Sequence, residues 1–267
     1  MQNPICPKIV FFDIDDTIYQ KTTDTLRPSV FQAFKMLKQK GILTAIATGR
    51  PEVAIPKKVR EAIAEAEMDM LVTINGQYIR YRGEELGSHP MDREKVGQMS
   101  NFFEQHNIAF AFVAPDTITV SADTPPVVAA MSKILPEHPI DPTFYQQNHV
   151  YQMLAFYDDA HENVVAEEVA KHGYKTVRWH EQAVDMLDKT GSKARGIQSA
   201  ISKLGIDMKD VMAFGDGLND IEMMQAVGFG VCMGNGEPEL KAVADYICPT
   251  IDEDGVLNGL KALGVID

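Results

Sequence analysis

The sequence predicts an α/β fold in which a doubly wound parallel sheet is interrupted by an inserted α+β unit. Three observations predict it. Short apolar runs alternate with amphipathic stretches up to about residue 83, the pattern of parallel strands joined by crossover helices, and the same alternation resumes from about residue 187. Between those limits the apolar runs are separated by short turns as well as by helical stretches, which is the texture of an antiparallel sheet with helices packed on it.

In order, Lys8 to Ile14 reads as a buried strand, and Pro28-Ser29 opens a helix that continues through Phe31, Phe34 and Leu37 until Gly41 stops it. A strand from Ile42 to Ala47 follows. Pro51 suits the first turn of a helix through Val59, Ile63 and Ala66, with an irregular start at Pro56. A third strand, Met70 to Ile74, ends in a tight turn at Asn75-Gly76. Gln77 to Tyr81 and Glu85 to His89 flank Arg82-Gly83-Glu84 and predict a hairpin leading out of the parallel sheet.

Between 84 and 186, strands are expected at Ala109 to Val113, Thr117 to Ala122, Val150 to Tyr157, Lys175 to His180 and Val184 to Leu187. Helices are expected at Arg93 to His106, Pro126 to Leu135 and His161 to His172. The closing part predicts the helix Ser192 to Leu204, the strand Val211 to Phe214, a helix from Asn219 to Val227 and the strand Phe229 to Met233. A helix around Glu237 to Ala244, the strand Tyr246 to Cys248 and a helix from Gly255 to Leu263 complete it. Residues 1–83 and 187–267 are thus expected to fold together as a Rossmann-like core, with 84–186 inserted as a cap. Ligands in such sheets bind beyond the carboxyl ends of the strands.

Composition narrows the function. The net charge of -13 argues against a nucleic-acid partner, which needs a basic surface to displace counterions from phosphates. A small phosphorylated molecule is not excluded, because local positive groups and a metal can dominate the field in a cleft. Cys6, Cys232 and Cys248 have no metal-type spacing and read as reduced thiols. No apolar run is long enough to span a bilayer and no signal-peptide core precedes the first acids, so a cytoplasmic protein without a membrane partner is expected.

The chemistry sits at strand ends. Asp13-Ile14-Asp15-Asp16-Thr17 follows Lys8-Ile9-Val10-Phe11-Phe12 directly. In extended chain Asp13 and Asp15 project to one face and Ile14 to the other. Acids also end strands as turn formers or caps, and the second acidic cluster decides between these readings: Gly215-Asp216-Gly217-Leu218-Asn219-Asp220 follows another apolar run, Val211-Met212-Ala213-Phe214. Thr48-Gly49-Arg50 follows the run ending at Ala47, and Lys193 lies near a helix start.

In that order, acid, hydroxyl, lysine, acid, these elements resemble the four motifs of the haloacid dehalogenase superfamily of phosphohydrolases. The resemblance covers the whole chain and looks closest to the Cof-like branch of large-capped sugar-phosphate phosphatases, through Val72-Thr73-Ile74-Asn75-Gly76 and the compact last motif. One departure is Asp16, where many members carry glycine; Asp tolerates the left-handed conformation expected there.

The resemblance implies a phosphatase of small phosphorylated metabolites, sugar phosphates foremost, with flavin mononucleotide and pyridoxal phosphate as further candidates. A phosphosugar mutase and a non-catalytic phospho-ligand sensor are the alternatives. It implies Mg²⁺ held by Asp13, the main-chain carbonyl of Asp15 and Asp216, with Asp13 as nucleophile and Asp15 as general acid and base. Ile14, Thr48, Gly49, Arg50, Lys193 and Asn219 would bind phosphate or substrate, with Asp220 behind them orienting water or holding the lysine. Thr48 can also cap a helix, Arg50 can instead pair with Glu52 or another surface acid, and the resemblance adds a substrate-side role for Asn75 to its reading as part of a tight turn. Lysines near helix starts are commonly solvated surface charges, whereas Gly191-Ser192-Lys193-Ala194-Arg195-Gly196 resembles the family's lysine motif. The cap is expected to set substrate specificity. In it, Arg178 and His180 share one strand face, either exposed to solvent or reaching the leaving group, with Trp179 on the other face.

Overall fold

The computed structural model describes residues 6–132 and 134–267. Its described residues divide into two compact units, one formed by 6–49, 55–87 and 192–267, the other by 50–54, 88–132 and 134–191. The division falls at 87/88 and 191/192, against the expected 83/84 and 186/187.

The first unit is built on an eight-stranded sheet in the order Tyr246–Ile247, Phe229–Cys232, Val211–Gly215, Ile9–Phe12, Leu43–Ala47, Met70–Thr73, Tyr78–Tyr81, Glu84–Ser88. The first six run parallel. Sequence explains the centre: all four residues of Ile9–Phe12 are fully buried, as a parallel strand covered on both faces requires. Its side chains alternate between two cores. Val10 and Phe12 join Ile46, Met212 and Phe214 in one. Ile9 and Phe11 join Ala45, Ala47, Val211 and Ala213 in the other. Phe12 stacks on Phe214 with ring centres 5.3 Å apart and tilts against Phe34 at 5.1 Å. Each such ring removed from water contributes about 1.5–3 kcal/mol.

The helix Pro28–Gln39 covers the first core with Val30, Ala33, Phe34 and Leu37, and Lys193–Lys203 covers the second with Ile197, Ala200 and Ile201. Pro51 opens no α-helix; a short 3-10 turn, Glu52–Ala54, precedes the helix Lys57–Glu65, so the irregularity expected at Pro56 is a break. The hairpin also differs from expectation. Tyr78–Tyr81 pairs antiparallel with Met70–Thr73, so the hairpin extends the core sheet and does not leave it.

The second unit has a five-stranded antiparallel sheet in the order Tyr174–His180, Ala183–Asp188, Gln152–Phe156, Ala109–Ala114, Thr117–Val120. The helices Arg93–Gln105 and Glu162–Lys171 pack Val96, Met99, Phe103, Val165 and Val169 onto Phe110, Phe112, Met153, Val184 and Met186. Residues 50–54 belong here because the Val53 amide donates to the Pro115 carbonyl at 3.1 Å. A register shift between Arg178 and His180 breaks the alternation on which their shared face depends. The Arg178 guanidinium is occupied as well: it donates to the carbonyls of Tyr157, His180 and Glu181 at 3.1–3.3 Å and pairs with Glu162. Arg178 therefore ties its own strand to its neighbours, which is neither the solvated nor the substrate-reaching reading. His180 Nδ1 accepts from the Gln182 amide at 3.1 Å. Among the described residues no helix is long and apolar enough to cross a membrane.

Candidate active site

Because six strands are parallel, their carboxyl ends lie along one edge. Asp216, Asp13, Thr48 and the Ile74–Gly76 turn stand there side by side, each following its strand. The chain leaves the central strand toward Leu43–Ala47 on one side and returns later to Val211–Gly215 on the other, which makes Asp13 the residue at the switch point of the sheet.

After Asp13 the chain turns sharply. The Ile14 carbonyl accepts from Ile18 and Tyr19 at 3.0 and 2.9 Å, and the Asp16 amide donates to the Tyr19 carbonyl at 2.7 Å. These bonds use the carbonyl of Ile14 and the amide of Asp16, not the Asp15 carbonyl assigned to the metal. Asp16 has φ 57°, the left-handed conformation expected of it. The Ile14 side chain is buried in the core, so only its backbone amide can serve a ligand.

Lys193 is the hub of the cluster. It is the first residue of its helix, behind Ser192, whose Oγ accepts from the Arg195 amide at 3.2 Å. Its Nζ donates at 2.6 Å to Asp13 Oδ1 and at 2.6 Å to Asp220 Oδ1. The other oxygen of Asp220 accepts from the amides of Asp216 and Gly217, both at 3.0 Å. Asp220 thus holds both the lysine and the loop that carries Asp216. Thr17, fully buried, donates its hydroxyl to Asp216 Oδ1 at 2.7 Å. The sequence reading gave Thr17 no role, although it closes the first acidic motif. The helix is set close by glycines: a Cβ on Gly76 would stand 2.2 Å from the Ser192 carbonyl oxygen, and one on Gly196 2.5 Å from Gly76 Cα.

Thr48 is buried, its amide donating to Val72 at 2.9 Å and its carbonyl accepting from Asn75 at 3.0 Å. Gly49 lies beneath the Asn75 side chain. Arg50 falls in the other compact unit and donates Nη1 to the Ala54 carbonyl at 2.8 Å. Asn219 is exposed, one residue before Asp220.

The electrostatics call for a cation. Asp13, Asp216 and Asp220 bring carboxylate oxygens within 4.8 Å of one another. At an effective dielectric of about 20, two full charges at that distance repel by roughly 3 kcal/mol, and one lysine does not neutralise three acids. Burial pushes the Asp13 carboxyl up to about 8; Lys193 opposes this, while Asp220, Asp15 and Asp216 add to it. Burial likewise pushes Asp216 up to about 7, against the Thr17 hydrogen bond. With both Asp220 oxygens engaged, Asp13 and Asp216 are the carboxylates left to hold a hard divalent ion, and their all-oxygen donor set fits one.

A stability prediction follows. Both acids have folded pKa values raised above the unfolded ones, so in metal-free protein their contribution is fully present below the unfolded carboxylate pKa. It is lost as pH rises through about 7 to 8. A bound divalent ion replaces those protons, so the rise in Tm on adding Mg²⁺ should be larger at pH 8 than at pH 5.5. Thermal melts with and without chelator at the two pH values measure it; equal shifts would mean that these acids do not titrate in this window.

The family model for haloacid dehalogenase-like hydrolases matches residues 10–260. YkrA of Bacillus subtilis (strain 168) is 34% identical over 261 residues, covering 97% of this chain and 98% of that protein. A solved structure from Geobacillus kaustophilus HTA426 is 38% identical with TM-score 0.90, covering 97% of this chain and all of that one. The structure of BT4131, a subclass IIB sugar phosphatase of the superfamily, is 31% identical with TM-score 0.83 over 97% of this chain and all of that one.

Proposed function

The chain belongs to the haloacid dehalogenase-like hydrolases and hydrolyses phosphate esters, and on that premise we propose that it is a Mg²⁺-dependent phosphatase of small phosphorylated metabolites, sugar phosphates foremost. The observation that carries the reading is the chain of contacts from Asp13 through Lys193 to Asp220, with Asp216 beside them, at one strand-end edge. The preference for sugar phosphates rests on the similarity to BT4131.

In the proposed mechanism Asp13 attacks phosphorus in line with the leaving oxygen, forming an aspartyl-phosphate. Among the described residues only Oδ1 of Asp13 carries a hydrogen bond, to Lys193, which leaves Oδ2 as the attacking atom. Lys193 orients the nucleophile and places positive charge beside the phosphoryl oxygens. Asp15 gives a proton to the departing alcohol and then takes one from the water that hydrolyses the intermediate. Thr48, the amides of Ile14 and Gly49, and Asn219 are assigned to phosphate binding. Asp13 and Asp216, with the Asp15 carbonyl, would hold a divalent ion, which would supply charge neutralisation for the approaching dianion. Selection among leaving groups is assigned to the inserted unit, through residues other than Arg178.

Release of inorganic phosphate from a panel of sugar phosphates, flavin mononucleotide and pyridoxal phosphate tests the reading. Mg²⁺-dependent release, abolished by chelator and fastest on a sugar phosphate, is expected. Transfer of phosphate between sugar positions without release would establish a mutase, and binding without turnover a sensor; either overturns the proposal.

A further inference from the structure

Asn235 lies in the loop after the strand Phe229–Cys232, two strands away from that of Asp13, and it is exposed. An asparagine in an exposed turn ordinarily bonds backbone within two residues of itself. This one bonds distant chain with both ends of its carboxamide. Nδ2 donates to the Asp16 carbonyl at 2.8 Å, 219 positions away in sequence, and Oδ1 accepts from the Ile251 amide at 2.9 Å. The rest of the loop is fixed as firmly. The Met233 amide donates to the Gly215 carbonyl at 2.9 Å, the Glu237 amide to the Asp216 carbonyl at 2.8 Å, and Lys241 Nζ to the Gly234 carbonyl at 2.7 Å. Gly236 lets the loop pass close by, since a Cβ there would stand 3.1 Å from Asp216 Cα. Residues 234–237 therefore clamp both acidic loops, the first through a side chain and the second through the backbone.

Peptide geometry shows what the bond to Asp16 fixes. A trans peptide is planar, with its carbonyl and amide pointing in opposite directions. The peptide joining Asp15 to Asp16 aims its amide at the Tyr19 carbonyl, 2.7 Å away, so the Asp15 carbonyl points the other way. The next peptide carries the Asp16 carbonyl and the Thr17 amide. That amide reaches the Ile14 carbonyl only at 3.4 Å, so Asn235 is the shorter tether. Between the two planes Asp16 sits at φ 57°, a conformation that an L-residue keeps only where its surroundings hold it. The tethered peptide also leads into Thr17, whose hydroxyl holds Asp216. One carboxamide thus acts on two of the groups assigned to the ion, the Asp15 carbonyl and the Asp216 carboxylate, without touching either.

We propose that Asn235 is a positioning residue for the phosphatase reaction, holding the turn after Asp13 so that the Asp15 carbonyl and Asp216 present their oxygens to one divalent ion. The inference rests on the phosphatase reading of the same edge. It is tested in the intact protein with Asn235→Ala, which removes the carboxamide, and with Asn235→Gln, which keeps it on a longer stem. The readouts are the Mg²⁺ dissociation constant, by titration calorimetry well below Tm on protein shown to be folded by circular dichroism, and kcat for an aryl phosphate at low and at saturating Mg²⁺. For Asn235→Ala the dissociation constant should rise about 10-fold or more, the scale of loss when a group behind a metal ligand is removed. Its kcat should fall at low Mg²⁺ and largely recover at saturating Mg²⁺, which a loss of stability alone would not produce. Asn235→Gln should regain most of the affinity. An Asn235→Ala protein that binds Mg²⁺ as tightly as an active wild type, whatever its Tm, overturns the Asn235 assignment alone. Wild-type protein that neither binds Mg²⁺ nor releases phosphate overturns the phosphatase reading beneath it.

Discussion

Asp13→Asn should leave a folded protein whose phosphatase turnover is lower by at least about 10⁴-fold, the scale of loss when an enzyme's nucleophile is removed. The amide is too poor a nucleophile to form the covalent intermediate, while its oxygen can still accept from Lys193, which Asp220 continues to hold. The fold should not suffer. Burial and the neighbouring acids push Asp13 up to about 8, so an ionised carboxylate there is a cost to metal-free protein that the neutral amide removes. In chelator at pH 8 or above, the variant's Tm should equal or exceed that of wild type. Rapid-quench assays should show no acid-stable phosphorylated protein. Turnover within ten-fold of wild type would place the nucleophile elsewhere.

The acids at strand ends were legible because the physics that sets them is local. A run such as Ile9–Phe12 is buried on both faces, its length fixes where the strand ends, and polar residues directly after it must lie at the sheet edge. The left-handed turn at Asp16 was legible for the same reason. Periodicity states which face a residue occupies but not what it meets there. Thr17 finds Asp216 across 199 positions of sequence. The hairpin Tyr78–Tyr81 and Glu84–Ser88 reads alike whether it leaves the sheet or extends it, and only pairing with Met70–Thr73 decides. The role of Arg178 was left open by the pattern, which carries no sign of the register shift between Arg178 and His180. The short segment 50–54 carries no sign in its composition that it packs with the inserted unit; its anchor, Pro115, lies 62 positions beyond Val53.

Lys193 tests whether the cluster is held together by charge or merely tolerates it. Its side chain is fully buried at the start of a helix, where the backbone dipole disfavours a cation. Burial alone would push its pKa down, yet Asp13 and Asp220 at 2.6 Å outweigh burial and raise it, so the lysine stays protonated. Lys193→Met keeps most of the volume and removes the charge, leaving two buried carboxylates without a counter-ion. Breaking a buried ion pair on one side costs about 3–5 kcal/mol. Loss of a positive group aimed at the transferring phosphoryl should independently lower kcat by about 10²–10³-fold. Because the destabilisation comes from the uncompensated acids, adding Asp13→Asn to Lys193→Met should recover a substantial part of the lost stability while activity falls further, a coupling that a double-mutant cycle in denaturant measures. Packing loss alone predicts additive effects and no recovery. A Lys193→Met protein as stable as wild type would show that the ion pairs are not structural, and one retaining kcat within ten-fold would remove Lys193 from the chemistry.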